Sequence, residues 1–262
     1  MSQNTGTKRS TPALAFGIDI GGSGIKGAPV DLVRGEFTAD RVRIPTPDVS
    51  TPAAVAEVAA QVLASFDLPA HVPVGVTFPA VVQHGVARSA ANVDSSWVGT
   101  NIETILGTAL GRPVVAYNDA DAAGYAEATY GAARGSRGVT LVTTLGTGIG
   151  TAMVVDGVLV PNLELGHLEI DGHDAESMAS DGARDREGLS WEDWARRLQR
   201  YYGVLEDLLW PDLIVVGGGV SKNHAKFLPL LHLRAPIVPA QLRNAAGIVG
   251  AAALASRAAK PR

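Results

Sequence analysis

Apolar positions along this chain recur at two periods and switch between them in a repeated order. Leu14–Ile20, Ile25–Val30 and Phe37–Ile44 are short runs rich in branched and aromatic residues, broken by Gly, Ser and Asp, and they predict three strands. Over Thr51–Phe66 the apolar spacing lengthens to three and four residues. Ser50 or Thr51 can cap this stretch and Pro52 suits a first turn, so it predicts a helix. Val72–Phe78 and Val81–Ala87 return to strand, Thr100–Leu110 to helix, Val114–Tyr117 to a short buried strand, and Asn118 to about Tyr130 to helix. The order then restarts with strands at Val139–Thr144, Ile149–Val155 and Val158–Val160. Pro161–Gly188 is loop-rich. Ser190 with Asp193 forms a capping-box pattern ahead of a helix at Trp191–Leu209. A strand at Leu213–Val216, a helix at Val220–His232, a strand at Pro236–Val238 and an alanine-rich helix at Ala245–Ala259 complete the chain.

Each half therefore reads β-β-β-α-β-α, and a period above roughly a hundred residues means a duplicated domain and not a solenoid. The expected division is a flexible tail at 1–13, a first lobe at 14–118 joined by the C-terminal helix at 245–260, and a second lobe at 119–244. With 262 residues and 46% hydrophobic content the chain can bury a sizeable core. It has no cysteine, which excludes disulfides, a Cys nucleophile and Cys-based zinc sites. The net charge of −4 carries no basic excess, so no nucleic-acid partner is expected. Met1–Thr11 is polar and lacks the apolar core of a secretory signal, and no apolar run reaches the ~18 residues of a membrane span, so the expectation is a cytoplasmic protein with no membrane partner.

The chemistry gathers at two glycine turns, one in each half. Asp19-Ile20-Gly21-Gly22-Ser23-Gly24-Ile25-Lys26 and Leu145-Gly146-Thr147-Gly148-Ile149-Gly150 each join two strands. Glycine lets backbone N–H groups approach a ligand closely, and Ser23, Thr144 and Thr147 add hydroxyl donors, a combination suited to phosphate. One such turn is often only a hairpin; two at matching places point to a phosphoryl group held between similar lobes. Asp19, at a strand end beside the first turn, can orient a phosphate-bound Mg²⁺, and Lys26 can reach a phosphoryl group. Gly217-Gly218-Gly219 leads a strand into an expected helix, whose N-terminus would attract a phosphate or nucleotide. Asn118-Asp119 is a typical helix cap; it also offers a general base at an interlobe cleft. Asp121, two residues on, points to another helix face.

Glu164-Leu165-Gly166-His167-Leu168-Glu169, with Glu176 shortly after, packs carboxylates and an imidazole suited to sugar hydroxyls, provided the chain turns at Gly166. His167 and His173 without cysteine make a weak zinc alternative. Asn92–Trp97 clusters amides and hydroxyls that could line a sugar pocket or form an Asx turn. Trp191, Trp194, Tyr201 and Tyr202 have core spacing. Arg196, Arg197 and Arg200, with Lys222 and Lys226, form either a solvated face or a track for an extended polyphosphate.

Taken in order, these motifs resemble those of the repressor–open-reading-frame–kinase (ROK) sugar kinases. Phe16–Gly27 looks like their first phosphate motif and Leu145–Gly150 like their second. Asn118-Asp119 matches the motif of the catalytic aspartate, and Glu164–His167 the sugar-binding Glu-x-Gly-His. Glu176 aligns with a further sugar-binding glutamate, and Gly217–Gly219 looks like the adenosine-side motif. The resemblance runs over residues 14 to 250. It departs where the family's Cys-rich zinc motif is missing and where Pro79-Ala80-Val81-Val82 replaces a Pro-Gly turn. These departures, with the wording of Gly22–Asp31 and Asn162–Glu169, resemble the branch of polyphosphate- and ATP-dependent glucokinases and glucomannokinases.

The resemblance implies an α/β, two-lobed ribonuclease H-like fold of the actin-like ATPase/hexokinase kind, the duplicated lobes enclosing a cleft. It implies phosphoryl transfer from polyphosphate or ATP to the 6-hydroxyl of glucose, with mannose as a further acceptor. Asp119 would be the base. Asn92, Asn118, Asp119, Glu164, His167 and Glu176 would hold the sugar. Asp19, Gly21, Gly22, Ser23, Gly24, Lys26, Thr144, Gly146, Thr147, Gly148, Gly217, Gly218 and Gly219 would hold phosphate or nucleotide. Mg²⁺ would be the cofactor, met by Asp19 directly or through phosphate, with no zinc site and a monomer or homodimer as the assembly. The alternatives are a strictly ATP-dependent hexokinase for glucose or another sugar, a non-catalytic ROK repressor, which would need a helix-turn-helix ahead of Leu14, and an actin-like ATPase.

Overall fold

The structure, a computed structural model, describes residues 14–90 and 92–259; the expected tail at 1–13 lies outside them. β1 (Leu14–Gly21) turns through Gly22 and Ser23 into antiparallel β2 (Gly24–Asp31). The single strand expected over Phe37–Ile44 is two short ones, β3 (Glu36–Phe37) and β4 (Val42–Ile44), both paired with β2. Between those pairings, Ala28 and Pro29 of β2 face the four residues 38–41. Pro29 has no N–H to donate, so the ladder opens there into a bulge. α1 (Pro52–Ala64) starts at Thr51, whose hydroxyl accepts from the Ala54 N–H. β5 (Val74–Phe78) then runs parallel to β1.

Val81–Ala87 is not one strand. It is a hairpin of β6 (Val82–Gln83) and β7 (Val86–Ala87), turning at His84 and Gly85, both with positive φ. α2 (Ile102–Leu110), β8 (Val114–Asn118) and α3 (Asp119–Tyr130) follow. The second half holds β9 (Val139–Leu145), β10 (Ile149–Val155) and β11 (Val158–Val160). The stretch read as loop contains β12 (Glu169–Ile170) and β13 (His173–Asp174), then α4 (Ala175–Ala179) and α5 (Asp181–Glu187). Its Asp171-Gly172 turn, with both φ positive, is a hairpin signal present in the sequence.

α6 (Trp191–Leu209) has the expected bounds and the Ser190–Asp193 capping pair, with Ser190 Oγ accepting from the Asp193 N–H at 3.0 Å. β14 (Leu213–Gly217), β15 (Ile237–Pro239) and α7 (Ala246–Ala258) complete the fold. No α-helix forms over Val220–His232. Two 3₁₀ segments, Gly219–Lys226 and Leu228–Leu230, stand there, with Pro229 in the first turn of the second. The segment behind Gly217–Gly219 is therefore a 3₁₀ helix starting at Gly219 and not the expected α-helix.

The two sheets share one plan. The first runs β3-β2-β1-β5-β8, with β4 also on β2, and the second β11-β10-β9-β14-β15. In each, the hairpin-linked first three strands lie beside two parallel ones. α1 and α2 cover the first sheet with Val55, Val62, Ile102 and Leu106 against Ile18, Val76 and Phe78. The aromatic spacing of α6 is core, as its sequence suggests: Trp194, Tyr201 and Tyr202 are buried with Leu141, Ile214 and Val216. α3 and α7 pack on each other, α7 over β1 and β5 and α3 over β9 and β10. Ala15, Ala126, Ile248 and Ala252 meet in that middle layer.

Candidate active site

The first hairpin sets its own charges by register. Asp19 and Lys26 are cross-strand partners, and Lys26 Nζ lies 3.1 Å from Asp19 Oδ2. Thr77, the partner of Asp19 on parallel β5, donates its hydroxyl to Asp19 Oδ1 at 2.8 Å. The carboxylate is thus aimed before any ligand arrives, and each oxygen keeps a lone pair free. Gly22 and Ser23 are exposed at the tip, where Arg43 Nη2 donates to the Ser23 carbonyl at 2.7 Å. A Cβ on Gly22 would lie 3.1 Å from Asn92 Cβ, so Asn92 packs beside this turn.

In the second hairpin the Gly146 N–H donates to the Gly148 carbonyl at 3.0 Å. A Cβ on Gly148 would overlap the Glu176 carboxylate. Glu176 Oε2 instead accepts from the Ile149 N–H at 2.7 Å, which fixes the start of α4 to this turn. The chain does turn at Gly166: Leu165–His167 is a 3₁₀ turn, with the His167 N–H donating to the Glu164 carbonyl at 3.0 Å. A side chain on Gly166 would collide with the Ile149 carbonyl, so the turn needs glycine to sit on β10. Glu164 Oε2 and His167 Nε2 stand 4.0 Å apart, and His167 Nδ1 is 2.9 Å from Asp174 Oδ2. That bond to Asp174 raises the imidazole pKa. Asp174 also caps α4 by accepting from the Ser177 N–H at 3.0 Å.

Asn118 Oδ1 caps α3 by accepting from Ala120 and Asp121 N–H groups, and its Nδ2 donates to the Ala80 carbonyl at 3.0 Å. Most of its amide is committed to placing Asp119. The Asp119 side chain is exposed to the cleft, with the surrounding protein excluding part of its water. That desolvation, then the charges of Asp19 and Glu164, push its pKa up to about 6 against the lowering bond from the Ala120 N–H. Asp121 is buried. Its Oδ2 accepts from the Asn162 N–H at 2.8 Å, and its Oδ1 has no partner among the described residues. Burial above all pushes Asp121 up to about 7.

Two cavities meet at Asp119, Thr144 and Gly218. The larger, about 650 Å³, is lined by Asn92, Asn118, Gly146, Thr147, Gly148, Glu164, His167 and Glu176 among others. The smaller, about 190 Å³, is lined by Asp19, Lys26, Gly217, Arg243 and Asn244. Gly21, Gly22, Ser23, Gly24 and Gly219 are on neither wall. Among the described residues no cluster of three or more metal-ligating side chains occurs. The arginine track on α6 is already paired: Arg196 with Asp193, Arg197 with Glu187, and Arg200 with Asp171.

Sequence reasoning missed Thr77, Asn162, Asp174, Arg243 and Asn244. Asp174 could have been found as an N-cap three residues before Ser177. Thr77 and Arg243 reach the site only through strand pairing and chain return, which leave no local signal.

A family model described as the ROK family matches residues 15–184. The chain belongs to the ROK family. It is 48% identical over 244 residues to a polyphosphate glucokinase of Mycobacterium tuberculosis (strain CDC 1551 / Oshkosh), covering 93% of this chain and 91% of that one. Among solved structures it is similar to the inorganic polyphosphate/ATP-glucomannokinase from Arthrobacter sp. strain KM, at 56% identity and a TM-score of 0.90, covering 95% and 100% of the two chains. A ROK family glucokinase from Streptomyces griseus, in complex with glucose and AMPPNP, shares the fold at 24% identity and a TM-score of 0.76, covering 93% and 99%. The ROK chain described here thus has the ribonuclease H-like, actin-like fold expected of it. No helix among its described residues is long and apolar enough to cross a membrane.

Proposed function

We propose that this ROK protein is a kinase that transfers the terminal phosphoryl group of inorganic polyphosphate, and of ATP, to the 6-hydroxyl of glucose, with mannose as a second acceptor. The observation that carries the reading is the meeting of two unlike cavities at one carboxylate. One wall set is rich in hydroxyl-binding groups, the other carries Lys26, Arg243 and the Gly217–Gly218 turn, and Asp119 lines both. The donor and acceptor chemistry is that of relatives named as polyphosphate glucokinase and polyphosphate/ATP-glucomannokinase.

In this reading the first lobe is 14–118 with the C-terminal helix, and the second is 119–244. Glu164, His167, Glu176, Asn92 and the free N–H of Asn118 hold the sugar. Asp174 keeps His167 oriented. Lys26, the two glycine hairpins, Thr144 and Gly217–Gly219 hold the donor. The sugar's O6 bonds to the terminal phosphorus as the bond from that phosphorus to the rest of the donor breaks. The hydroxyl proton passes to Asp119, and a shortened polyphosphate or ADP leaves. Asp19, pre-aimed by Lys26 and Thr77, would meet a Mg²⁺ held mainly by donor phosphates, where the ion would neutralise charge on the transferring group. Closing the cleft over the sugar keeps water from taking its place as acceptor.

The test is glucose-6-phosphate formation from polyphosphate without nucleotide. Product is expected; product from ATP alone would make the protein a strictly nucleotide-dependent hexokinase. Asp119→Asn is expected to lower kcat by about 10²–10⁴-fold while glucose binding, read by calorimetry, stays close to wild type. Retained turnover would remove Asp119 as the base.

A further inference from the structure

The α6 arginines each have a carboxylate partner, which an anionic donor would have to displace to use them. A second basic group stands at the mouth of the donor cavity. β4 pairs with β2 so that Arg43 is the direct partner of Lys26. Side chains alternate along an extended chain, which sets Arg41 on the same face as Arg43. Arg41 Nη1 reaches the Asn244 carbonyl at 3.4 Å, and this places it beside the Arg243–Asn244 corner that lines the donor cavity. At 3.4 Å that bond is long, and it leaves most of the guanidinium free. Arg43, among the described residues, makes only its bond to the Ser23 carbonyl. Among the described residues Arg41, Arg43 and Arg243 form no ion pair, whereas Arg184, Arg186, Arg196, Arg197, Arg200 and Arg234 all do.

The corner itself is built to hold an unfavourable shape. Arg243 has φ +50, a left-handed backbone that is unfavourable for a non-glycine residue. The turn before it is tied down by buried Glu127, whose carboxylate accepts from the Leu242 N–H at 2.7 Å and the Gln241 N–H at 3.1 Å. A strained arginine, clamped from beneath by a buried carboxylate, lies on the wall of a cavity that also holds Lys26.

We propose that Arg243, Arg41 and Arg43, continuing outward from Lys26, form the track that holds the distal phosphates of an inorganic polyphosphate, and that the shorter triphosphate of ATP stops before Arg41. The proposal rests on the reading of the site as a polyphosphate-using kinase. Each internal phosphate carries a charge and two free oxygens, which an unpaired guanidinium meets as a fork without first giving up a carboxylate. In this arrangement ATP presents only its triphosphate to the inner cations, Lys26 and Arg243.

The experiment uses the full chain and measures KM for long-chain polyphosphate, tripolyphosphate and ATP at low and high salt. Arg41→Glu is expected to raise the KM for long-chain polyphosphate at least about tenfold, through loss of one charge-assisted contact and gain of a repulsion. The KM values for tripolyphosphate and ATP move less than about twofold, because neither reaches this exposed position. Arg41→Lys, which keeps the charge, restores most of the polyphosphate affinity. High salt narrows the gap between wild type and Arg41→Glu. Arg243→Gly, which accepts the left-handed backbone, raises KM for all three donors. An active wild type whose polyphosphate KM is unmoved by Arg41→Glu, or moves in parallel with ATP, overturns the track alone. A wild type silent with polyphosphate but active with ATP overturns the polyphosphate-donor reading and the track together.

Discussion

At the residue scale the decisive group is Asp119, and its character comes from neighbours distant in sequence. A carboxylate on an open helix start titrates near 4. Here the protein walls around it, the charge of Asp19 from β1 and that of Glu164 from the loop after β11 lift it to about 6. A base works only when ionised, so kcat/KM is expected to be flat above pH about 6 and to fall about tenfold per unit below it. Glu164→Gln removes one of the raising charges and should move that limb to lower pH, whatever it costs in glucose affinity; a limb that stays in place assigns the titration to another group. Asp119 was legible as a base candidate because a cap pair followed a buried strand. Its raised pKa was not, since it depends on which charges the fold brings near.

Among elements, the most informative contact is one that no local pattern announced. The side chain of Asn162 forms a two-bond clasp with Val82 of the β6–β7 hairpin: Oδ1 accepts from the Val82 N–H and Nδ2 donates to the Val82 carbonyl, both at 2.9 Å. Its own N–H is held by buried Asp121. The clasp joins the loop carrying Glu164 to the hairpin beside Pro79–Val81, so both walls of the larger cavity are set by one amide. Asn162→Gly suits the φ of +62 at this position and removes only the clasp. It is expected to raise the glucose KM by about three- to tenfold with kcat nearly unchanged; an equal rise in donor KM would show that the clasp does not act on the acceptor side. Hydrophobic period located most elements, but it ran β3 into β4 and β6 into β7, because it ignores the missing N–H of Pro29 and the φ of His84. It also read Val220–His232 as helix, where Pro229 and a run of polar residues leave only 3₁₀ turns.

For the whole molecule, stability depends on how closely α7 and α3 lie against the sheets. A Cβ on Gly17 would overlap the Ile248 carbonyl, one on Gly75 the Ala251 carbonyl, and one on Gly250 the Ala122 carbonyl. Backbone cannot yield as a side chain does, so Gly250→Ala is expected to destabilise by about 3 kcal/mol or more and lower Tm by roughly 6–12 °C. Gly203→Ala is the contrasting case: it lies inside α6 with open space around its Cβ. It should stabilise by about 0.5–1 kcal/mol, and thermal unfolding of the two variants separates close packing from helix propensity. The sequence alone determined the duplicated element order, the two glycine turns, the Asn118-Asp119 cap and the Glu164–His167 cluster, because each is a local pattern of period, turn chemistry or neighbouring residues. Only the tertiary structure decided which cations remain free, that Asp19 is aimed by Thr77, that His167 leans on Asp174, and that Arg41 and Arg243 share one corner across some two hundred residues of chain. Pairings of that kind arise when sheets and loops close over long separations, and a one-dimensional pattern carries no record of which partners that closure selects.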